Sequence, residues 1–170
     1  MYLPSGRGHD QEWLIRELRS SEIDILRTML YNAIFVPPGA EKPPFDIIEL
    51  PEIIVYIENF GREGDLCLVA ETDGKIAGVI WTRLFTGPVK GYGFIDTATP
   101  ELSMAVLEPY RRRGIGTGLL TEMLNRLASA GYAQVSLSVD LANYAYRLYR
   151  KFGFVDYARH DESMTMLRQL

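Results

Sequence analysis

The segment "RRRGIGTGLL" (residues 111–120) places three arginines and several glycines directly ahead of an apolar run with helical spacing. A helix N-terminus carries partial positive charge and free backbone N–H groups, so arginines there are unfavourable unless an anion is bound. Glycines let the backbone approach a ligand closely. The segment therefore predicts an anion site at the start of a helix, with solvated loop arginines before an ordinary helix as the alternative.

Two familiar phosphate-binding motifs fit this segment poorly. No Gly-Lys-Ser/Thr follows the glycines at the spacing of a P-loop, which excludes that class. A dinucleotide fold would use strand 101–107, the glycines, the helix, and Asp140 at the end of the next strand. However, the third glycine stands at position 118 instead of 119, and residues 108–113 separate the strand from the first glycine. The dinucleotide hypothesis is therefore disfavoured.

The chain offers few other groups with distinctive chemistry. Cys67, its one cysteine, lies in the β-patterned run "LCLVAE", where a free cysteine is usually a small buried hydrophobic residue. His9 and His160 stand in segments without a motif, so surface or packing roles are expected. No cluster of His, Cys or carboxylate residues has metal-ligand spacing, so we expect no metal.

The surrounding elements predict one mixed α/β domain over residues 12–170, behind an N-terminal tail of residues 1–11. Their order is β-α-α-β-β-β-α-β-α-β-β. Asp73-Gly74 is a favoured hairpin turn, and a helix starting near Gly114 ends at Gly131. The β-α-β unit around that helix implies one parallel pair of strands, whereas the hairpin and the closing strands imply antiparallel pairs. The sheet should therefore be mostly antiparallel and flanked by helices.

The composition indicates a globular protein and limits its partners. The chain has 170 residues, 47% of them hydrophobic, which is enough for one sizeable core. A net charge of −4 argues against a nucleic-acid partner. The first residues lack a signal-peptide pattern, no apolar run reaches the length of a membrane span, and a single cysteine suits a reducing compartment. We therefore expect a cytoplasmic protein with no membrane partner.

Two segments together resemble the GNAT superfamily of acyl-CoA-dependent N-acyltransferases. "AVLEPYRRRGIGTGLL" is similar to the cofactor signature Arg/Gln-x-x-Gly-x-Gly/Ala, which Arg111, Gly114 and Gly116 match. "SVDLANYAYRLYRKFGF" resembles the downstream pattern Asn-x-Ala-x-x-Leu-Tyr-x-x-x-Gly-Phe, from Asn143 to Phe154. One helix and one strand separate the motifs, as in that family, and the predicted order of elements matches its fold over nearly the whole chain.

The resemblance implies that acetyl-CoA lies in a cleft between the strand carrying "SMAV" and the strand carrying "VSLSV". Backbone groups of Met104, Ala105 and Val106 would then bind the pantetheine arm, and Asn143 would contact the cofactor near that arm. The pyrophosphate would be held by the arginine–glycine segment, through backbone N–H groups and basic side chains of Arg111, Arg112, Arg113, Gly114, Ile115, Gly116 and Thr117.

The resemblance also implies direct transfer of an acetyl group to a primary amine. Tyr149 matches the position that commonly serves as general acid for the departing thiolate, with a core aromatic as the alternative. Family members often take their general base, sometimes through water, from a glutamate on the strand before the arginine–glycine loop. Glu101 is the only carboxylate in "PELSMAV". It is the candidate base, although a surface residue at the strand edge is an equally good interpretation. Asp96 and Glu108 are weaker alternatives.

The acceptor is not identified by the resemblance. Residues 35–57, 92–94 and 157–162 are expected to shape its site, and a small-molecule amine or a peptide or protein amine would each fit. A backbone N–H near Ala105 or Val106 would stabilise the oxyanion. The family frequently forms dimers, so a homodimer is an open expectation. A non-catalytic acyl-CoA-binding or sensing domain is the alternative to an enzyme.

Overall fold

The computed structural model describes residues 13–170, and the predicted N-terminal tail of residues 1–11 lies outside them. Seven strands form one sheet in the order β1-β2-β3-β4-β5-β7-β6. Neighbouring strands are antiparallel except for the parallel pair β4 and β5. The strands are β1 Leu14–Glu17, β2 Leu66–Thr72, β3 Lys75–Arg83, β4 Glu101–Val106, β5 Gln134–Asp140, β6 Val155–His160 and β7 Ser163–Gln169. The predicted fold class and order of elements are confirmed.

Four α-helices flank the sheet: α1 Ile25–Ala33, α2 Pro51–Ile54, α3 Ile115–Ser129 and α4 Ala145–Lys151. Glycines stand at the start of α3 and just beyond its end, where the sequence predicts them. Gly114 at its start and Gly131 just beyond its end have φ of 82° and 87°, a left-handed conformation that favours glycine. The Asp73-Gly74 turn between β2 and β3 also has two positive φ values, 49° and 73°, as a tight hairpin requires.

Each face of the sheet carries its own apolar core. On one face, α3 buries a stripe of leucines and a methionine against β3, β4, β5 and β7. On the other face, Leu26, Met29 and Leu30 of α1 pack with Val79 and Trp81 of β3. Because both faces are covered, the middle strands are fixed in position, and the side chains of β4 are divided between two apolar environments.

The parallel strands β4 and β5 separate almost as soon as they meet. Glu101 and Ser136 are their one paired position, and the Ser136 N–H donates to the Pro100 carbonyl at 3.0 Å. By contrast, β4 pairs with β3 along its whole length, and β5 pairs with β7 from Gln134 to Asp140. A gap therefore opens between β4 and β5 beyond Glu101. A single parallel pair in an antiparallel sheet also rules out the dinucleotide-binding fold.

A buried ion pair anchors the segment that follows α2. The Arg83 guanidinium, 1% exposed, donates to both carboxylate oxygens of Asp65 at 3.0 and 2.7 Å. It also donates to the backbone carbonyls of Val55 and Glu58 at 2.9 and 2.7 Å. Because these groups are satisfied on all sides, the segment holding Tyr56 is fixed against β3.

Candidate active site

The open edge of β4 presents backbone groups to the gap. The Leu107 N–H donates to the Ala77 carbonyl at 2.9 Å, and Ala105 stands opposite Val79 in the same ladder. Because alternate residues of an antiparallel strand point their N–H and C=O groups to opposite sides, Met104 and Val106 direct theirs towards the gap. Of the three predicted pantetheine-binding residues, Ala105 instead faces β3 with its backbone.

The start of α3 supplies unused N–H groups next to this strand. The first bond of the helix runs from the Gly118 N–H to the Gly114 carbonyl at 3.0 Å, so the three preceding N–H groups, of residues 115–117, have no helical acceptor. A Cβ on Gly116 would lie 3.5 Å from Met104 Cε and 3.8 Å from Leu148 Cδ2. The predicted anion site therefore lies where β4, α3 and α4 meet.

The three arginines of the loop do not point the same way. The Arg111 Nε donates to the Val106 carbonyl at 2.9 Å, at the end of β4. The Arg113 guanidinium lies 5.8 Å from the centre of the Tyr110 ring. Arg112 has a φ of 63°, so two left-handed residues, Arg112 and Gly114, shape the turn before α3. All three arginines are exposed, which leaves a positively charged rim around the helix start.

The second motif forms α4 and the turn before it, on the same face of the sheet as α3. The Asn143 Oδ1 accepts the Ala145 N–H at 2.9 Å in a turn just ahead of α4, which leaves the amide Nδ2 group of Asn143 as the part suited to a ligand contact. Tyr149 is 6% exposed, and its ring meets Phe154 edge-on with centroids 5.7 Å apart. Burial raises the pKa of Tyr149 above its ordinary value, so the hydroxyl keeps its proton at neutral pH.

Glu101 is buried, so its interpretation as a surface residue is wrong. Its side chain is directed to the α1 face of the sheet and is 3% exposed. The Tyr56 hydroxyl donates to Oε2, and the Gly93 N–H donates to Oε1 at 3.0 Å. Burial raises the pKa of Glu101 from 4.5 to about 8, and the two hydrogen bonds oppose that rise. A carboxyl group with this pKa can accept a proton in mildly alkaline solution.

A glycine-rich loop covers Glu101. The Tyr92 N–H donates to the Tyr56 hydroxyl oxygen at 2.7 Å, and the Ser136 hydroxyl donates to the Gly93 carbonyl at 2.7 Å. A Cβ on Gly91 would overlap the Glu101 carboxylate. Tyr56 and residues 92–94 were expected only to shape the acceptor site, and the sequence pattern did not predict their contact with Glu101. The glycines of "GYG" (residues 91–93) were the available signal, because glycine allows such close approach.

Glu101 and Tyr149 lie on opposite faces of the sheet. Glu101 stands on the face that α1 covers, whereas Tyr149 belongs to the core beneath α3 and α4. Both are close to the gap, since Glu101 is the one residue of β4 that pairs with β5, and α4 contacts β5. A reacting group held in the gap would therefore have a carboxyl group on one side and a phenol on the other.

The remaining candidates lie apart from this arrangement. The Asp96 carboxylate is exposed and accepts the Ala98 N–H and the Thr99 hydroxyl, which stabilises a turn. Glu108 and His160 are exposed, and His9 lies outside the described residues. Burial raises the pKa of the Cys67 thiol, which keeps it protonated. A cavity of about 310 Å³ between β1, β2 and α3 contains none of the predicted site residues.

Residues 13–170 contain no group of three or more His, Cys, Asp or Glu side chains that could hold a metal ion. Within the same range, no helix combines the length and apolar character needed to cross a membrane.

The raised pKa of Glu101 predicts a pH-dependent cost to stability. Between about pH 4.5 and pH 8 the unfolded chain releases this proton while the folded protein keeps it, so the contribution of Glu101 to the free energy of unfolding falls as pH rises. We expect the melting temperature of the wild type, relative to Glu101→Gln, to drop by several degrees from pH 5 to pH 9. Thermal melts of both proteins across this range measure the difference, and a constant difference would contradict the prediction.

Comparison with known proteins places the chain in a family. Residues 28–154 match the model of the "Acetyltransferase (GNAT) family". An N-alpha-acetyltransferase of Sulfurisphaera tokodaii is 31% identical over 148 residues, covering 85% of this chain and 81% of the relative. The ribosomal-protein-alanine N-acetyltransferase of Brucella melitensis has a similar fold, with a TM-score of 0.65, 23% identity, and 92% and 99% of the two chains covered.

A second solved structure with this fold contains a ligand. The PaiA N-acetyltransferase of Thermoplasma acidophilum, in complex with coenzyme A, aligns with a TM-score of 0.65 and 19% identity over 93% of this chain and 99% of its own. The match to the family model spans most of the chain, and the matched relative is an acetyltransferase, so the non-catalytic alternative is not retained. The chain belongs to the GNAT family and is an acetyltransferase that transfers an acetyl group to an amine.

Proposed function

We propose that this enzyme binds acetyl-CoA in the gap between β4 and β5 and transfers its acetyl group directly to the α-amino group of a polypeptide. The observation that carries the proposal is the separation of β4 from β5 beyond Glu101, beside the open start of α3. The α-amino group is proposed as the acceptor because the curated relative from Sulfurisphaera tokodaii is an N-alpha-acetyltransferase.

The described residues fit acetyl-CoA in three places. Met104 offers its N–H and C=O groups and Val106 its N–H along an open strand edge, which suits the amide-containing pantetheine arm, whereas the Val106 carbonyl accepts the Arg111 Nε–H. The N–H groups of residues 115–117, with the exposed arginines 111–113 around them, suit a pyrophosphate. Asn143 stands at the start of α4 with its Nδ2 group available for a contact near the arm.

Acetyl transfer needs a neutral amine and a protonated leaving group. In the proposed mechanism Glu101 accepts the proton of the ammonium group through water, because its carboxylate is buried behind Tyr56 and Gly93. The amine nitrogen then bonds to the thioester carbon, and the carbon–sulfur bond breaks. Tyr149, which keeps its proton at neutral pH, donates that proton to the departing thiolate. The nitrogen loses its second proton to solvent as the amide forms, and Tyr149 regains a proton from solvent. Of the two N–H groups expected near the oxyanion, that of Ala105 faces β3 and that of Val106 lies beside Arg111 at the phosphate end, so neither is assigned to the thioester carbonyl.

The acceptor class is tested with a panel of matched amines. The panel contains peptides with a free N-terminus, the same peptides with a blocked N-terminus and a free lysine, and small polyamines. CoA release reports turnover, and mass spectrometry locates the acetyl group. Acetylation of the free α-amino group, with the blocked peptides unchanged, is the expected result. Exclusive acetylation of lysine side chains or of polyamines would overturn the α-amino assignment.

Arg111→Ala is expected to raise the KM for acetyl-CoA by about 10-fold, the equivalent of one hydrogen bond to a charged group. The preference among peptides should not change, because Arg111 lies at the phosphate end of the gap. Steady-state kinetics with two peptides measure both quantities. Arg62→Ala, a substitution of another exposed arginine on the loop before β2, is the matched control and should leave KM unchanged. A changed peptide preference at constant KM would contradict the assignment.

Broader expectations concern location, partners and domain organisation. The enzyme is expected to act in the cytoplasm without a nucleic-acid partner, and residues 12–170 are expected to form a single N-acetyltransferase domain. A homodimer stays an open expectation, which light scattering after gel filtration would test.

A further inference from the structure

Tyr56 is locked in place by contacts to several parts of the fold. Its ring meets Phe85 edge-on at 5.4 Å, and its backbone carbonyl accepts the Trp81 Nε1–H at 3.1 Å. Its hydroxyl oxygen accepts the Tyr92 N–H at 2.7 Å, and its hydroxyl proton is donated to Glu101 Oε2. The phenol therefore has a defined direction, since a backbone N–H occupies its acceptor side and a carboxylate its donor side.

The network around Glu101 is built for a group that only accepts hydrogen bonds. Each carboxylate oxygen receives one donor, Tyr56 on Oε2 and the Gly93 N–H on Oε1. A protonated Glu101 would direct its own O–H at one of these donors. The Tyr56 hydroxyl proton would then need a different acceptor, yet the Tyr92 N–H, which also contacts the hydroxyl, is itself a donor. The donors thus favour the ionised carboxylate, while burial disfavours it.

Among residues 13–170, no charged side chain stabilises the ionised form of Glu101. Burial and the hydrogen bonds from Tyr56 and Gly93 are the influences on its pKa. Among nearby charged groups, the Lys90 ammonium donates to the Phe85 carbonyl and lies over the Phe94 ring, and Glu52 acts on the Tyr92 phenol. Burial also raises the pKa of Tyr56 well above its ordinary value, so the phenol remains a donor throughout the working range of pH.

We propose that Tyr56 is a positioning residue that, together with the Gly93 N–H, stabilises the proton-accepting carboxylate of Glu101 against the effect of burial at the point where β4 and β5 separate. This inference rests on the proposed role of Glu101 as general base. Tyr56 does not exchange a proton with the amine in this scheme. Tyr56 affects the reaction only through Glu101. The loop of residues 91–93 contacts Tyr56 with the Tyr92 N–H and Glu101 with the Gly93 N–H.

The test measures the ionisation of Glu101 directly. Glutamate labelled with ¹³C at the side-chain carboxyl is incorporated into the wild type, Tyr56→Phe and Tyr132→Phe, and the Glu101 signal is assigned by its loss in Glu101→Gln. We expect the titration midpoint to rise by about 1 to 2 pH units in Tyr56→Phe, the equivalent of losing a hydrogen bond to a charged group. Tyr132→Phe, the same chemical change after α3, should leave the midpoint unchanged.

Kinetics and a second variant complete the test. The pH at which kcat/KM reaches half its plateau should rise by the same amount in Tyr56→Phe, with the KM for acetyl-CoA unchanged. Site-specific 3-fluorotyrosine at position 56, a stronger donor that preserves the fold, should lower the midpoint instead. An unchanged midpoint in Tyr56→Phe, or an equal shift in Tyr132→Phe, overturns the inference. Wild-type turnover by Glu101→Gln would instead overturn the base role of Glu101, whatever the midpoints are.

Discussion

Glu101→Gln is expected to lower kcat/KM for a peptide with a free N-terminus by about 100-fold or more, the range typical of a lost general base. Glutamine keeps the volume of the side chain in its buried place but cannot take up the proton of an ammonium group. The dissociation constant for acetyl-CoA should change little, because Glu101 faces the α1 side of the sheet, away from the α3 N-terminus. Initial rates and a separate CoA-binding titration measure the two effects.

The pH profile provides the sharper part of this prediction. In the wild type, kcat/KM should rise with pH and level off above about pH 8, where Glu101 loses its proton. In Glu101→Gln the remaining activity should lack that rise, apart from the titration of the amine itself. A peptide with an N-terminal amine of lower pKa separates the two contributions, because only the step due to Glu101 stays at the same pH.

Asp96→Asn is the matched control, since Asp96 is a nearby carboxylate that the sequence also made a candidate. Its oxygen accepts hydrogen bonds from Ala98 and Thr99 in an exposed turn, so the variant should keep nearly full activity. Glu108→Gln is a second control, because Glu108 is exposed beyond the other end of β4. A loss in either control as large as that in Glu101→Gln would move the base away from Glu101.

The parts of the fold that sequence reasoning predicted well are those set by local backbone chemistry. Asp73-Gly74 and Gly131 adopt left-handed conformations that few other residues tolerate, so the hairpin and the end of α3 could be placed from residue type alone. The stripe of Leu119, Leu120, Met123 and Leu127 likewise defined the buried face of α3. The two motifs then named the family, because their order and separation carry more information than either motif alone.

The surroundings of Glu101 could not be predicted in this way. Tyr56 is 45 positions from Glu101 in the sequence, and their contact depends on how α2, the loop of residues 91–93 and β4 pack together. Alternation along "PELSMAVL" indicated two faces of the strand but not which face is enclosed. Tertiary packing therefore determines whether the Glu101 carboxylate is exposed or buried. Its burial in turn raises the pKa that suits Glu101 to the role of base.

The positions of Glu101 and Tyr149 also explain why the arginine–glycine segment alone cannot define the reaction. That segment lies at the outer end of the gap, where charge and backbone N–H groups suit a phosphate. The two groups suited to moving protons lie on opposite faces of the sheet. An amine approaching from the α1 face would meet Glu101, while a thiolate leaving towards α4 would meet Tyr149. Direct transfer without an acyl-enzyme requires the amine and the thioester to be bound in the gap together, and each would then have its own group for proton transfer.

Tyr149→Phe is expected to lower kcat by about 100-fold while leaving the dissociation constant for CoA nearly unchanged. Phenylalanine retains the edge-on contact with Phe154 and the burial of the ring, so only the proton donor is lost. The loss should shrink with an acyl donor whose leaving thiol has a lower pKa, because a more stable thiolate needs less help from an acid. Rates with acetyl-CoA and with such a thioester analogue measure this difference.

Tyr146→Phe is the matched control on the same helix, because its hydroxyl donates to the Asp156 carboxylate at the protein surface. It should retain kcat within about 2-fold, as expected for a surface hydrogen bond that does not touch the reacting atoms. Equal losses in the two variants would mean that α4 tolerates no change, and a normal kcat in Tyr149→Phe would assign the acid role elsewhere. A loss confined to Tyr149→Phe and relieved by the better leaving group is the result expected if its hydroxyl protonates the thiolate.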